Sequence, residues 1–317
     1  MTFHANFIWV IAGCALIGAG ASLAGNFAFL RKRSLIGDAV AHALLPGVVI
    51  GYLISGEKSL WMLFPGALAA GWLSLLTIEG ITAFSKLKSD TAIASVLSVF
   101  FAAGIVLLTY VQQLPEGNHA GLDAFLFGKA AAMLPGDLYL FAAVDAVLVG
   151  VIWLLYPYLK LFCFDPEFAA ATGLPMRALS FILSTLTVLA VAAGIQAVGV
   201  VLMAALLITP AAAGRYLSKR LSGMIAVSVV LGTLSAVLGT AVSYSAPAMP
   251  TGPWIVVTVT FFAVFAFLFA PEKGLFPLML RKKRGVSSNA GKESTATPSG
   301  SEHNRLKIRG EKPTRHE

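Results

Sequence analysis

Apolar runs of membrane length recur along most of the chain, separated by short polar breaks. They lie at 7–30, 36–54, 61–84, 91–112, 139–160, 178–195, 197–214, 222–244 and 253–270. A helix of about 20 apolar residues crosses the hydrocarbon core of a bilayer. The pattern therefore predicts an all-α, polytopic membrane bundle of about nine (eight to nine) transmembrane segments. The seventh run is short, and a broken or re-entrant segment is expected there.

Composition strengthens this reading. Hydrophobic residues make up 57% of the 317 positions and charged residues only 12%, whereas soluble domains carry about twice that charge. The first run contains Ile11-Ala12-Gly13-Cys14, which mimics a lipoprotein processing site. No positive charge precedes it, as a secretory signal requires, so it reads as the first span. Cys14 and Cys163 both lie in or near apolar runs and give no disulfide framework.

Charge then sets orientation. Arg31, Lys32, Arg33, Lys86, Lys88, Lys160, Arg177, Arg215, Lys219 and Arg220 fall on one side, together with a basic tail; only Lys58 and Lys129 fall on the other. The positive-inside rule makes the first side cytoplasmic, with the N-terminus outside and the C-terminus inside. The net charge of +8 belongs mostly to residues 271–317, which hold eleven Lys/Arg against five Glu. Beyond Gly285 this tail is rich in Ser, Thr, Gly, Lys and Glu, a composition that buries no core. It reads as a disordered cytoplasmic segment beside anionic lipid rather than a nucleic-acid arm. Residues 1–270 form the membrane domain.

Candidate chemistry concentrates in the stretch from Arg31 to Leu53, which sets Asp38 and His42 into an apolar run. Four residues make just over one helical turn, so the two side chains share a face. An intramembrane ionisable residue is a functional-site hypothesis by default, and carboxylate plus imidazole suits a divalent first-row metal. The residues alone leave two readings open, metal ligands or a hydrogen-bonded pair satisfying itself. Counting from Ser34 puts the pair in the inner half of its span, and a break near Pro46-Gly47 would open it toward the outside. Glu79 reads as a snorkelling residue near interfacial water or Lys86. Asp145, deeper in its span, either lines a cavity or meets a polar neighbour.

Two loops are long. The outer one, 113–138, carries His119, Asp123 and a Pro135-Gly136 turn signal. In the inner one, Asp165-Pro166 reads as a helix start, 167–172 as a short helix, Gly173 as its stop and Pro175 as the break before the next span. Such a knob either docks a partner subunit or is an ordinary loop helix. Phosphate-binding-loop, zinc-protease and nucleophile-elbow motifs are absent, so no catalytic residue is assigned and the chain is not read as an enzyme.

Several stretches together carry a resemblance. Leu35-Ile36-Gly37-Asp38-Ala39-Val40-Ala41-His42-Ala43-Leu44-Leu45-Pro46-Gly47-Val48 resembles the signature of the membrane permeases of ATP-binding-cassette importers for manganese, zinc and iron. The serine that commonly precedes the histidine in that family is Ala41 here. Phe164-Asp165-Pro166-Glu167-Phe168-Ala169 through Gly173-Leu174-Pro175 is similar to the family's cytoplasmic coupling segment. Ala120-Gly121-Leu122 with Phe125-Leu126-Phe127-Gly128 resembles its outer-loop element, and Leu207-Ile208-Thr209-Pro210-Ala211 a late-span motif. The resemblance implies a permease of the bacterial cytoplasmic membrane, embedded in lipid, that pairs with a second protomer (itself or a paralogue). It would bind a cytoplasmic ATPase pair and receive metal from an external solute-binding protein, with no nucleic-acid partner. Asp38 and His42 match the family's metal ligands. Asp165, Pro166, Glu167, Phe168 and Gly173 match the segment that enters the ATPase. The metal is cargo held transiently, and no resident cofactor is implied.

An ion takes four or more ligands and one chain offers two, so a two-fold axis bringing a second Asp/His pair is expected. Pro46 and the wording of residues 125–133 lean toward manganese or iron over zinc. The competing readings are an ion-coupled secondary metal transporter, which needs no coupling segment, and a structural membrane scaffold.

Overall fold

The computed structural model describes residues 2–33, 35–56, 60–113, 128, 133–245, 249–270 and 274. The tail at 271–317, apart from Gly274, and most of the outer-loop element, with His119 and Asp123, lie outside the described residues. Among those described there are eleven helices and no strand: α1 (Thr2–Leu30), α2 (Leu35–Ala43), α3 (Leu45–Ser55), α4 (Leu60–Phe84), α5 (Ser89–Gln112), α6 (Pro135–Phe164), α7 (Pro166–Ala171), α8 (Met176–Val198), α9 (Val200–Leu217), α10 (Leu221–Ser243) and α11 (Thr251–Phe269). Helices are the form in which an apolar span satisfies its own backbone in lipid. Nine segments among the described residues are long and apolar enough to cross a membrane, α2 and α3 together supplying the second.

Of the two interruptions the sequence suggests, only the one near Pro46-Gly47 is present. The seventh span is one continuous helix, Val200–Leu217. The second is broken at Leu44, between α2 and α3. Pro46 explains this, because it has no N–H for the carbonyl of His42 and its ring crowds that carbonyl. The seventh run looked short only because Gly199, at φ 82°, separates it closely from α8.

At the centre stands α1, packed on α6, α8, α9 and α10, while α3, α4 and α5 form a second group. Between the groups lies α2, which touches α4, α5, α8 and α9. Small residues permit close crossings in lipid, where packing replaces the hydrophobic drive. A side chain at Gly25 would run into the Leu207 carbonyl, and one at Gly18 would lie 2.8 Å from that of Gly232. A polar clasp joins α1 to α10: the Ser228 hydroxyl donates to Asn26 Oδ1 at 2.8 Å, and Asn26 Nδ2 donates to the Ser22 carbonyl at 2.7 Å. Interhelical hydrogen bonds of this kind contribute about 0.6 kcal/mol, at most about 1.7. Asn26→Ala is expected to lower the thermal unfolding midpoint in detergent by that small amount, without changing expression.

Candidate metal site and coupling segment

Asp38 and His42 are brought together on α2, as their spacing requires. His42 Nε2 lies 3.7 Å from Asp38 Oδ1, with the side chains 27% and 42% exposed respectively. That separation is too long for a hydrogen bond, so the pair does not satisfy itself. It is a distance that two ligands of one ion can span, since each bond is about 2.0–2.2 Å long. The Nδ1 atom of His42 is buried and has no hydrogen-bond partner among the described residues. Orphaned buried polar atoms are uncommon and call for a physical reason. The imidazole is held edge-to-face by Phe101 of α5, with centroids 5.0 Å apart and planes at 82°. His42 is thus held partly buried against α5, while Asp38 opens toward the surface of the single chain.

The broken span adds a third group. None of the backbone hydrogen bonds that bridge α2 and α3 reaches the His42 carbonyl, and its ordinary partner four residues on is Pro46. Unwound carbonyls and half-helix C-termini at interrupted spans are oxygen donors suited to cations, and the helix dipole points its negative end there. Neither this carbonyl nor Phe101 was singled out from sequence. A proline four residues after a histidine was the available signal for the first; nothing local marks Phe101.

What seats α2 is also visible. Leu207 of α9 packs against Gly37, where a Cβ would sit 2.8 Å from the leucine side chain, and the Leu207 backbone fills the notch at Gly25. The late-span motif thus wedges α2 against α1. Across the break, the backbones of Gly47 and Gly66 meet directly, and an apolar cleft of about 510 Å³ opens between α3 and α4. Its walls offer no charged ligand.

The other intramembrane acids stand apart. Asp145 packs its carboxyl on the backbone at Gly20, with its Cγ 3.1 Å from where a Cβ would be; it lines neither described cleft. Glu79 makes no ion pair with Lys86 among the described residues. No group of three or more His, Cys, Asp and Glu side chains is placed to hold a metal among the described residues.

The inner loop folds as its sequence predicts, within one residue. α7 starts at Pro166, and the Asp165 side chain accepts from the Phe168 N–H at 3.0 Å, as an N-cap does. Gly173 is left-handed at φ 79°. Leu174 N–H donates to Ala169 O at 3.2 Å and Gly173 N–H to Ala170 O at 3.1 Å, the paired bonds of a Schellman stop. Phe168 stands 55% exposed at the tip, whereas Ala169 is buried. A helix capped at both ends thus holds an aromatic ring outward. Asp165→Ala removes the N-cap and is expected to cost about 0.5–2 kcal/mol locally, read as faster amide exchange across 166–172.

Comparison with known proteins gives consistent results. The sequence profile of the ABC 3 transport family matches residues 4–270. The manganese transport system membrane protein MntC of Bacillus subtilis (strain 168) is 45% identical over 89% of this chain, which spans 65% of that relative's length. The zinc transport system membrane protein TroC of Treponema pallidum (strain Nichols) is 39% identical, over 87% of this chain and 92% of its own. Among solved structures, PsaBC from Streptococcus pneumoniae in complex with Fab superposes with a TM-score of 0.75 at 33% identity, covering 85% of this chain and 94% of that one. An inward-facing metal-chelate type ABC transporter shares the fold at 18% identity, with a TM-score of 0.65 over 82% and 84% of the two chains.

Proposed function

Since the chain belongs to the ABC 3 transport family of metal-importer permeases, we propose that it passes a divalent transition metal, manganese foremost, across the bacterial cytoplasmic membrane through a site built on Asp38 and His42. The observation that carries this reading is the placement of two ligand-type side chains 3.7 Å apart at the broken end of α2. The orphaned His42 Nδ1 and the open Asp38 flank mark a site that one chain leaves incomplete. A second protomer across a two-fold axis would supply the remaining ligands. ATP hydrolysis belongs to a partner subunit that receives α7, and an external solute-binding protein delivers the metal. The excess of Lys and Arg on one side supports a cytoplasmic α7 and C-terminus.

Manganese is supported by MntC of Bacillus subtilis and zinc by TroC of Treponema pallidum. The ligand chemistry admits both, and iron as well. The deciding experiment is uptake of labelled manganese by a strain expressing this chain with its ATPase, challenged with excess zinc or ferrous iron. Manganese uptake that resists both competitors and stops when ATP is depleted is the expected outcome. Zinc-dominated uptake would reassign the cargo; uptake that persists without ATP would favour an ion-coupled transporter. Phe168→Ala at the tip of α7 is expected to lower metal-stimulated ATPase activity by about tenfold or more, as loss of an aromatic interface anchor does, with membrane insertion unchanged.

A further inference from the structure

Four helices converge at the end of the bundle that carries α7. Phe27 of α1, with Arg31 and Arg33 just beyond it, meets Ile36 of α2, Phe162 of α6 and Ser184 of α8 around one cleft. The cleft has room for about one water, and Phe27, Ile36 and Phe162 are buried. Its walls are therefore nearly in contact, and side chains packed this closely pass displacement from one element to the next. α6 runs into α7 through Asp165, and α8 follows α7 after four residues. Both stems of α7 thus border the cleft.

Arg31 joins two of these walls. Its guanidinium lies over the Phe162 ring, with Cζ 3.9 Å from the centroid, and a half-buried cation is attracted to an aromatic face more strongly than an exposed one. It makes no ion pair among the described residues. Burial, and then Arg33, hold Arg31 below the usual arginine range. Both effects oppose a cation here, where a carboxylate would be the ordinary remedy; the ring stands in its place. A charge that only sets orientation needs no ring, and Lys32 beside it is exposed. On the other side Arg31 is tied to α2. Lys32 N–H donates to the Phe29 carbonyl and Arg33 N–H to the Ala28 carbonyl, both at 3.0 Å, the paired bonds of a Schellman stop. Lys32 fills the left-handed position of that stop at φ 56°, where glycine is usual. Ile36 N–H then donates to the Arg33 carbonyl at 3.0 Å, so hydrogen bonding runs from α1 into the first turn of α2.

We propose that Arg31 is a positioning residue for transport: stacked on Phe162, it makes the start of α2, and with it Asp38 and His42, follow α7 when the ATPase moves it. This rests on the reading of the chain as an ATP-driven metal permease. The path is short. Phe162 lies one helical turn before Pro166, where α7 starts; the stack carries the displacement to Arg31; a hydrogen-bonded turn carries it on to α2. Asp38 stands two residues beyond Ile36 in that first turn.

The test places the full chain with its ATPase in liposomes, supplies labelled manganese on the solute-binding protein, and reads manganese imported per ATP hydrolysed. Arg31→Gln removes the cation, and Phe162→Leu removes the ring while keeping an apolar side chain. Each is expected to lower the ratio by about fivefold or more, the size of a coupling between two sites, with ATP hydrolysis retained. The double variant should be no worse than either alone, since both remove one contact. Arg31→Lys keeps a cation for the ring and should retain most of the ratio. Ser184→Ala, which alters the α8 wall and leaves the stack in place, should not change it. An unchanged ratio in Arg31→Gln, or uptake and hydrolysis falling in proportion, would overturn the proposal. A second measurement needs no metal: amide exchange over residues 35–43 should respond to ATP binding in wild type and not in Arg31→Gln. An equal response in both, or none in either, also overturns it. A wild-type complex that shows the response but imports no metal refutes the transport reading alone.

Discussion

Alanine at Asp38 or His42 is expected to lower metal uptake by about 100-fold or more, given that even the groups supporting metal ligands are worth 10–100-fold. Assembly with the ATPase should be unchanged, with the thermal midpoint unaffected by Asp38→Ala and modestly lowered by His42→Ala. The argument is geometric. The 3.7 Å gap excludes a hydrogen bond between the two side chains, so neither substitution breaks a structural bond. His42 Nδ1 already lacks a partner, so removing the ring unburdens the fold of an unsatisfied atom. The edge-to-face contact with Phe101, by contrast, contributes about 0.5–1.5 kcal/mol, and His42→Ala loses it. His42→Phe keeps an aromatic partner for Phe101 without offering a nitrogen, and should be stable yet inactive. The measurement is labelled-metal uptake beside co-purification with the ATPase. Normal accumulation in either alanine variant would remove the pair from the pathway.

The largest effect on folding is expected at Gly25. A methyl group there enters the Leu207 carbonyl, and backbone cannot rotate away as a side-chain tip can. Overpacking of this kind costs about 1–3 kcal/mol, occasionally more. Here the displaced segment is also the wedge that holds Gly37, so α1, α2 and α9 shift together. Gly25→Ala should lower the thermal midpoint sharply, and Gly25→Val should prevent accumulation of folded protein. Gly80→Ala and Gly150→Ala serve as controls, because nothing lies within 4 Å of either added carbon. Comparable losses at all three positions would show a general intolerance of alanine rather than a crossing point at Gly25.

What could be read in advance follows from the range of the interactions. The spans and the short inner-loop helix were legible because their causes are local: runs of about 20 apolar residues, and Asp165, Pro166 and Gly173 in cap order. The proximity of Asp38 and His42 came from helical spacing alone. The break was legible in kind but expected in two places. Pro46 produced it in the second span, whereas the brevity of the seventh run reflected only the close spacing of α8 and α9. Phe101 on His42 and Leu207 between Gly25 and Gly37 were not legible, because each joins residues far apart in the chain. The cleft at Arg31 was hidden for the same reason. In sequence its arginines read as orientation charges, and only the fold brings Phe162 and Ser184 to them.

The interruption at Leu44 has a mechanical consequence. α3 packs on α4 and α5, whereas α2 also packs on α8 and α9. α8 follows α7 after four residues and keeps contact with it. The piece of the second span that carries Asp38 and His42 is thus attached to the end of the molecule where a motor subunit would push. The piece beyond the break packs on α4 and α5, which α2 also touches, but not on α8 or α9. Leu44 keeps helical backbone angles and both its N–H and its carbonyl stay hydrogen-bonded, so the proline step is a point of weakened ladder at which the two halves can bend against each other.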